Sequence, residues 1–273
     1  MTTNAQDART MLFVPGDRPD RFAKAAGAGA DLVVLDLEDA VSPGSKSEAR
    51  EHVTAWLADG HRCAVRVNAP RSPWHLEDLA ALAPYRCPVM LPKAEDPATV
   101  QGASEAFPAL IALIETAKGV LDAPAIAAVP GVQRLAFGSF DLAAELGVNP
   151  ADREALRTAR GALVLASAAA GLPGPVDGVT GNLHDEGVLT DDVRYARRLG
   201  FTGKLCVHPK QVAAAADALA PGADEIRWAR TVADAAADGG AVSVGGDLVD
   251  KPVLDRALRI LRQATKGSGD EAQ

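Results

Sequence analysis

Aromatic side chains are scarce in this sequence, at 4% of 273 residues, while hydrophobic residues of all kinds make up 48%. An interior with so few rings relies on Ala, Val and Leu, and its helices pack closely through small side chains. The apolar content is enough for one large domain with a substantial core. Basic charge is short as well: 28 Lys and Arg against 36 Asp and Glu leave a formal charge of −8. That excludes the broad basic surface required by nucleic acid or an anionic membrane, so an anionic ligand must be met by a local basic cluster. Cysteine is limited to Cys63, Cys87 and Cys206, in or beside apolar stretches, with no CxxC spacing and no neighbouring His pair. Reduced, mostly buried thiols are expected, as in the cytosol. No window reaches the ~18 apolar residues that span a bilayer, and the polar opening MTTNAQDARTM lacks the apolar run of a secretion signal. The expectation is a soluble, cytoplasmic protein.

What is present is organised around residues 110–146, LIALIETAKGVLDAPAIAAVPGVQRLAFGSFDLAAEL. Its apolar runs Leu110–Ile114 and Leu135–Phe137 each deliver a carboxylate at or just past the end, Glu115 and Asp141. Runs this short suit strands buried on both faces, which belong to parallel sheets. The Ala-rich segment Ala117–Ala128 supplies the helical crossover. Parallel strands joined in this way present their carboxyl ends on one side, so both acids should face one cavity. Two hard oxygen ligands with room for water suit Mg2+, which dehydrates reluctantly and usually takes only one or two carboxylates. Taken singly, each acid also fits a helix N-terminal residue favoured by the macrodipole.

The other strands read as Met11–Val14, Leu32–Leu37, Cys63–Val67, Val89–Leu91, Pro175–Val179 and Lys204–Val207. Helices are expected over Arg18–Ala26, Ser45–Leu57, Pro97–Ala106, Asp152–Ala170 ending at Gly171, Asp191–Leu199, and from Lys210 onward. Right-handed crossovers repeated over eight strands close the sheet into an α/β fold, the (β/α)8 TIM barrel. An open doubly wound sheet fits less well, because no glycine-rich nucleotide loop follows the first strand. Polar residues gather at the strands' carboxyl ends: Asp36, Glu38 and Asp39, then Arg66, Lys93, Glu115, Asp141, Asp177 in the seventh strand and His208 after the eighth. The strand starts carry no comparable set, and in a barrel the carboxyl-end face holds the active site. Ion pairs capping a non-catalytic barrel are the alternative. The barrel is expected over 8–219. Residues 220–266 form a C-terminal helical and hairpin extension, with a helix over Ala223–Ala237 and another from Lys251 to about Gln263. The extension either packs on its own barrel or reaches a neighbouring subunit as an arm and lid, and 267–273 read as a disordered tail.

Eight motifs then occur in order: VPGDRPDRFAKA, VVLDLEDAV with KSEAR, VRVN, VMLPKAE, ALIETAKG, LAFGSFDLAAELG, FTGKLCVHPKQV and VGGDLVDKP. Over nearly the whole chain they resemble the citrate lyase beta-subunit-like branch of the HpcH/HpaI aldolase family, which also includes malyl-CoA and citramalyl-CoA lyases. The resemblance implies a homo-oligomeric barrel, a trimer or dimer of trimers, that uses Mg2+. Its reaction cleaves or forms a C–C bond between an acyl-CoA thioester and a 2-oxo acid. By motif, Glu115 and Asp141 are then the metal ligands, with Glu115 also at the substrate. Arg66 of VRVN is the catalytic cation meeting the enolate oxygen. Asp250 of DLVDKP is the acid-base residue supplied by the lid to an adjacent subunit, or else a helix N-terminal residue before Lys251 and Pro252.

CoA is polyanionic, and Arg18, Arg21, Lys24, Lys46 and Arg50 fall on the first two units, where the family places its CoA contacts. Arg18 and Lys46 are the preferred substrate-binding pair. His208 reads either as a site-lining residue near the thioester arm or as a polar-network histidine. Lys93 as a Schiff-base lysine is set aside, because the metal pair supplies the same electrophilic activation. Some relatives carry an acid directly before the metal aspartate, as GxEDL. Ser139 and Phe140 fill that space here and put the substrate's size and the oxo acid in question. A citrate lyase beta subunit acting on an acyl-carrier thioester, a CoA-independent oxo-acid aldolase and a non-catalytic binding barrel are the competing readings.

Overall fold

Strands and helices alternate from Thr10 to Leu219, save for two successive helices after the sixth strand, in the computed structural model, which describes residues 5–107, 109–236, 242–244 and 247–268. The order is β1 (Thr10–Pro15), α1 (Phe22–Ala26), β2 (Leu32–Asp36), α2 (Lys46–Ala58), β3 (Ala64–Arg66) and α3 (His75–Leu82). Then come β4 (Val89–Leu91), α4 (Pro97–Ala106), β5 (Leu110–Ile114), α5 (Ala117–Ala127), β6 (Val132–Phe137), α6 (Ser139–Leu146) and α7 (Arg157–Ala169). The series ends with β7 (Val176–Asp177), α8 (Glu186–Leu199), β8 (Gly203–Cys206) and α9 (Lys210–Leu219). All eight strands are parallel, pair in chain order and close through β8 on β1, giving a (β/α)8 barrel.

Side chains alternate across a strand with a period of two, and the inward row is easily traced. Met11, Val34, Ala64, Met90, Ile111, Ala136, Val176 and Leu205, one from each strand, lie in a single buried cluster with Leu32 and Leu113, and Phe13 and Val179 pack against it. Continuing each row by two residues leads from Val34 to Asp36, from Ala64 to Arg66 and from Leu113 to Glu115. An apolar plug at mid-barrel thus hands over to ionisable groups at the carboxyl end, where register sets Asp36 beside Arg66.

The same alternation corrects the reading of Asp177. It follows inward-facing Val176, so it points outward, where Arg160 of α7 and Lys204 of β8 hold it in a buried ion cluster at 2.9 and 3.1 Å. It belongs to the barrel wall and not to the mouth. Two helices were not anticipated, α3 and α6. As α6 begins at Ser139, Asp141 sits in a helical first turn instead of closing β6. The helix expected from Asp152 begins at Arg157. The three cysteines are free and buried.

The chain divides into two compact units, the first running to Ala216 and the second from Asp217. In the second, α10 (Ala223–Ala236) and α11 (Lys251–Ser268) flank an antiparallel hairpin of β9 (Val242–Val244) and β10 (Asp247–Val249). Ala229, Val232, Val249, Ala257 and Ile260 form its small core. The tail expected from Gly267 starts inside α11, and residues 269–273 lie outside the described residues. No helix among the described residues is long and apolar enough to cross a membrane.

Candidate active site

The carboxyl end of the barrel opens into a cavity of about 320 Å³ lined by Phe13, Asp36, Arg66, Glu115, Phe140 and Asp141 among others. On one side, the Arg66 guanidinium donates to both oxygens of Asp36, Nε to Oδ1 at 2.7 Å and Nη2 to Oδ2 at 2.6 Å. Asp36 is itself buried and oriented, accepting from the backbone N–H groups of Glu38 and Ala40. Such a fork-on-carboxylate pair fixes the guanidinium plane. Arg66 also lies 3.1 Å from Glu38 Oε2 and 3.7 Å from Asp39 Oδ2, and covers the Phe13 ring at 4.8 Å. Burial works against its charge, but Asp36, Glu38 and Asp39 outweigh that and hold it above the usual arginine range. Glu38 pays for the crowding: burial, joined by the charges of Glu115, Asp39 and Asp36, pushes its carboxyl up to about 8 although Arg66 opposes this.

Across the cavity, Glu115 directly follows β5 and is 3% exposed, whereas Asp141, on the first turn of α6, has a side chain 39% exposed. Glycine at 138 permits this arrangement, since a Cβ there would fall 2.3 Å from Glu115 Cβ. Lys93 joins the two acids. Its backbone N–H donates to Glu115 Oε1 at 2.8 Å, and its ammonium lies 2.8 Å from Asp141 Oδ2 and 3.8 Å from Glu115 Oε1. Lys93 holds φ at +47°, in the left-handed region that a side-chain-bearing residue occupies at a cost. Burial pushes the Glu115 carboxyl up to about 7, with Lys93 opposing and Asp141 reinforcing.

Two carboxylates that already share one cation have the donor chemistry for Mg2+. Among the described residues no cluster of three or more His, Cys, Asp or Glu side chains could hold a metal ion. A cation here would take only Glu115 and Asp141 from the protein and fill its other positions with water or substrate oxygens, as Mg2+ does and structural zinc does not.

A model of the HpcH/HpaI aldolase/citrate lyase family matches residues 9–209. The chain belongs to this family. It is 38% identical over 268 residues to the citrate lyase subunit beta-like protein of Mycobacterium tuberculosis, covering 95% of this chain and 96% of that protein. It is also 38% identical over 237 residues to the (3S)-malyl-CoA thioesterase of Cereibacter sphaeroides, covering 84% and 83%. Among solved structures, protein CitE from Mycobacterium tuberculosis in complex with magnesium, acetoacetate and coenzyme A matches with a TM-score of 0.85 at 38% identity, covering 95% of this chain and 98% of that one. The HpcH/HpaI barrel described here is thereby placed among citrate lyase beta-like lyases.

Within that family framework, the remaining expected site residues fall in different places. Lys46 is buried, with its ammonium donating to the carbonyls of Leu37 and Glu38 at 2.7 Å each, so it ties α2 to the loop after β2 instead of standing free for a phosphate. Arg50 is likewise engaged by Asp78 and Glu77. Arg18 remains exposed and pairs with neighbouring Asp20 at 3.0 Å. His208 does not line the cavity, where Val207 does; its Nδ1 accepts from the Lys210 N–H at the start of α9. Asp250, in the second unit, accepts from the Val253 N–H and so caps α11. Sequence reasoning noted Asp36 and Lys93 at strand ends but gave neither its part as a clamp. A proline followed by lysine directly after a buried strand was the available signal for Lys93. Nothing in the sequence couples Asp36 to Arg66 thirty positions away.

Proposed function

We propose that this chain is a Mg2+-dependent carbon–carbon lyase that cleaves a β-hydroxyacyl-CoA of the citramalyl-CoA or malyl-CoA type into an acyl-CoA and a 2-oxo acid. One observation carries the reading: Glu115 and Asp141 both face the Lys93 ammonium, across the cavity from an arginine locked by Asp36. Magnesium bound there supplies Lewis-acid polarisation of the substrate oxygen that becomes the keto group. As the C–C bond breaks, its electron pair passes to the departing thioester fragment as an enolate. Arg66 is assigned to that enolate oxygen, because its plane is fixed before substrate arrives and no reorganisation is needed when the charge develops. The hydroxyl proton leaves, one proton returns to the enolate carbon, and no water is consumed. Asp250 is assigned to carbon protonation, from a homo-oligomer of trimer or dimer-of-trimers form in the cytoplasm. Its capping bond to Val253 uses Oδ1 and leaves Oδ2 for that task. Arg18 is kept as the CoA-phosphate contact, and His208 as a neighbour of the thioester arm.

The similarity to a malyl-CoA thioesterase favours a second reading, hydrolysis, and the two differ in products. Purified protein is incubated with Mg2+ and malyl-CoA or citramalyl-CoA while 2-oxo acid and free thiol are both measured. Lysis yields glyoxylate or pyruvate with no free thiol. Stoichiometric thiol release without oxo acid would overturn the lyase assignment, and activity only on an acyl-carrier thioester would move the substrate to a carrier protein.

A further inference from the structure

Phe140 stands directly before Asp141 on the first turn of α6, lines the catalytic cavity and is 43% exposed, yet lysis as derived above uses only its neighbour. A phenylalanine ring left half open at a cavity is apolar surface that a ligand can cover. Its place is fixed by close approach to the loop after β7. A Cβ at Gly178 would collide with Ser139 Oγ, and one at Gly181 would fall 3.1 Å from Phe140 Cζ. The first turn of α6 is therefore pressed against that loop, with the tip of the ring on Gly181. Phe13, Leu113, Phe137, Val179 and Leu205 continue the apolar lining. Charge on the same lining is one-sided: Asp36, Asp39, Glu115 and Asp141 stand against Arg66, its one cation among the described residues. Arg66 is already forked onto Asp36, and the Lys93 ammonium faces Glu115 and Asp141.

The substrate carbon that becomes the keto carbon bears one variable group besides its hydroxyl and carboxylate: hydrogen in malyl-CoA, methyl in citramalyl-CoA, carboxymethyl in citryl-CoA. A substrate held at Glu115 and Asp141 lies beside Phe140. An alkyl group there gains contact with the ring, and a single methylene in an apolar pocket discriminates by ~10–200-fold. A carboxymethyl group would instead bring a further anion among four acids, where an unpaired charge is strongly disfavoured. Resting on the lyase reading, we infer that Phe140 is a specificity-determining residue that selects a small uncharged alkyl group on the keto carbon. The 2-oxo acid product is then pyruvate or its next homologue, and not glyoxylate or oxaloacetate.

Full-length protein with Mg2+ is given malyl-CoA, citramalyl-CoA and citryl-CoA separately, and oxo acid and free thiol are both measured. The kcat/KM for citramalyl-CoA should exceed that for either other ester at least tenfold. Phe140→Ala should shrink the citramalyl-to-malyl ratio at least fivefold, a comparison in which metal, CoA and folding effects cancel. Phe140→Leu should lie between the two and serves alone if the alanine variant does not fold. Without turnover, calorimetry of pyruvate binding to the Mg2+-saturated protein should show at least fivefold weaker affinity in Phe140→Ala, with Mg2+ affinity within twofold of wild type. Equal cleavage of the esters by wild type, a ratio unmoved in both variants, or Mg2+ affinity falling in step with pyruvate affinity would each overturn the role of Phe140 while leaving a lyase. Thiol release without oxo acid from every ester would overturn the lyase reading, and this role with it.

Discussion

Two charge clusters of this barrel, one in its wall and one at its mouth, have opposite character. On the wall, Asp177 faces two cations, Arg160 and Lys204. Burial disfavours its charge, but the two partners more than compensate and hold its carboxyl below the usual range. At the mouth, Asp36, Glu38, Asp39, Glu115 and Asp141 form their ion pairs, among the described residues, with Arg66 and Lys93. There burial prevails, and Glu38 and Glu115 rise to about 8 and about 7. A carboxylate held down by its partners is matched and structural. One pushed up in a cavity lacks positive charge, which a divalent ion and a fixed guanidinium can use.

The largest effect expected from breaking this contrast lies on the wall. Asp177→Ala leaves Arg160 and Lys204 buried without their anion, a change that typically costs about 3–5 kcal/mol. Denaturant unfolding should show that loss, while kcat and KM of the remaining folded enzyme stay near wild type. A collapse of kcat at preserved stability would show the wall to be part of the catalyst. Glu115→Ala should give the reverse result. Turnover should fall ~10²–10³-fold, on the scale of losing one preorganised electrostatic contact, and calorimetry should show weaker Mg2+ binding. Stability should hold or rise, because a buried charge has been removed.

The two clusters also predict opposite responses to pH. Glu38 and Glu115 have folded pKa values of about 8 and about 7 against an ordinary 4.5. Between 4.5 and 8 the folded state therefore binds more protons than the unfolded one, and stability falls as pH rises. Asp177 behaves conversely: its contribution is complete above its ordinary value of 3.8 and is lost as pH falls through its depressed value. Metal-free protein should thus melt lower at pH 8 than at pH 6. Glu38→Gln should flatten the upper part of that slope, and saturating Mg2+ should remove the Glu115 part. A melting temperature that climbs steadily to pH 8 in EDTA, and is indifferent to Glu38→Gln, would sink the assignment of these two carboxyls.

The contrast was only half legible in the sequence. Buried parallel strands read as short apolar runs, so Val89–Leu91 and Leu110–Ile114 were bounded correctly and the carboxyl-end acids stood out. Asp177 was misplaced because β7 has two residues, too few for alternation to show which face it takes. The helix α6 was hidden since SFDLAAEL follows its strand after one glycine and reads as a continuation. Lys46 shows as a cation early in a helix, and nothing in its neighbours says that its ammonium turns back to carbonyls at 37 and 38. Local patterns revealed which residues line strand ends, whereas pairings between distant positions needed the fold.

The smallest expected effect concerns Lys93, whose ammonium occupies the place between Glu115 and Asp141 where a divalent ion would bind. A partly exposed ion pair is worth up to about 1 kcal/mol, so Lys93→Met should tighten Mg2+ binding by up to about fivefold in calorimetry. Its backbone raises a separate issue, because φ of +47° strains any residue with a Cβ and suits glycine. Lys93→Gly removes both the charge and that strain. It should therefore match Lys93→Met in Mg2+ affinity and exceed it in melting temperature. Unchanged affinity in both variants would mean that the ammonium swings aside without competing. Weaker affinity in both would make Lys93 a support for the two acids, with its cation needed to keep them aligned in the mouth.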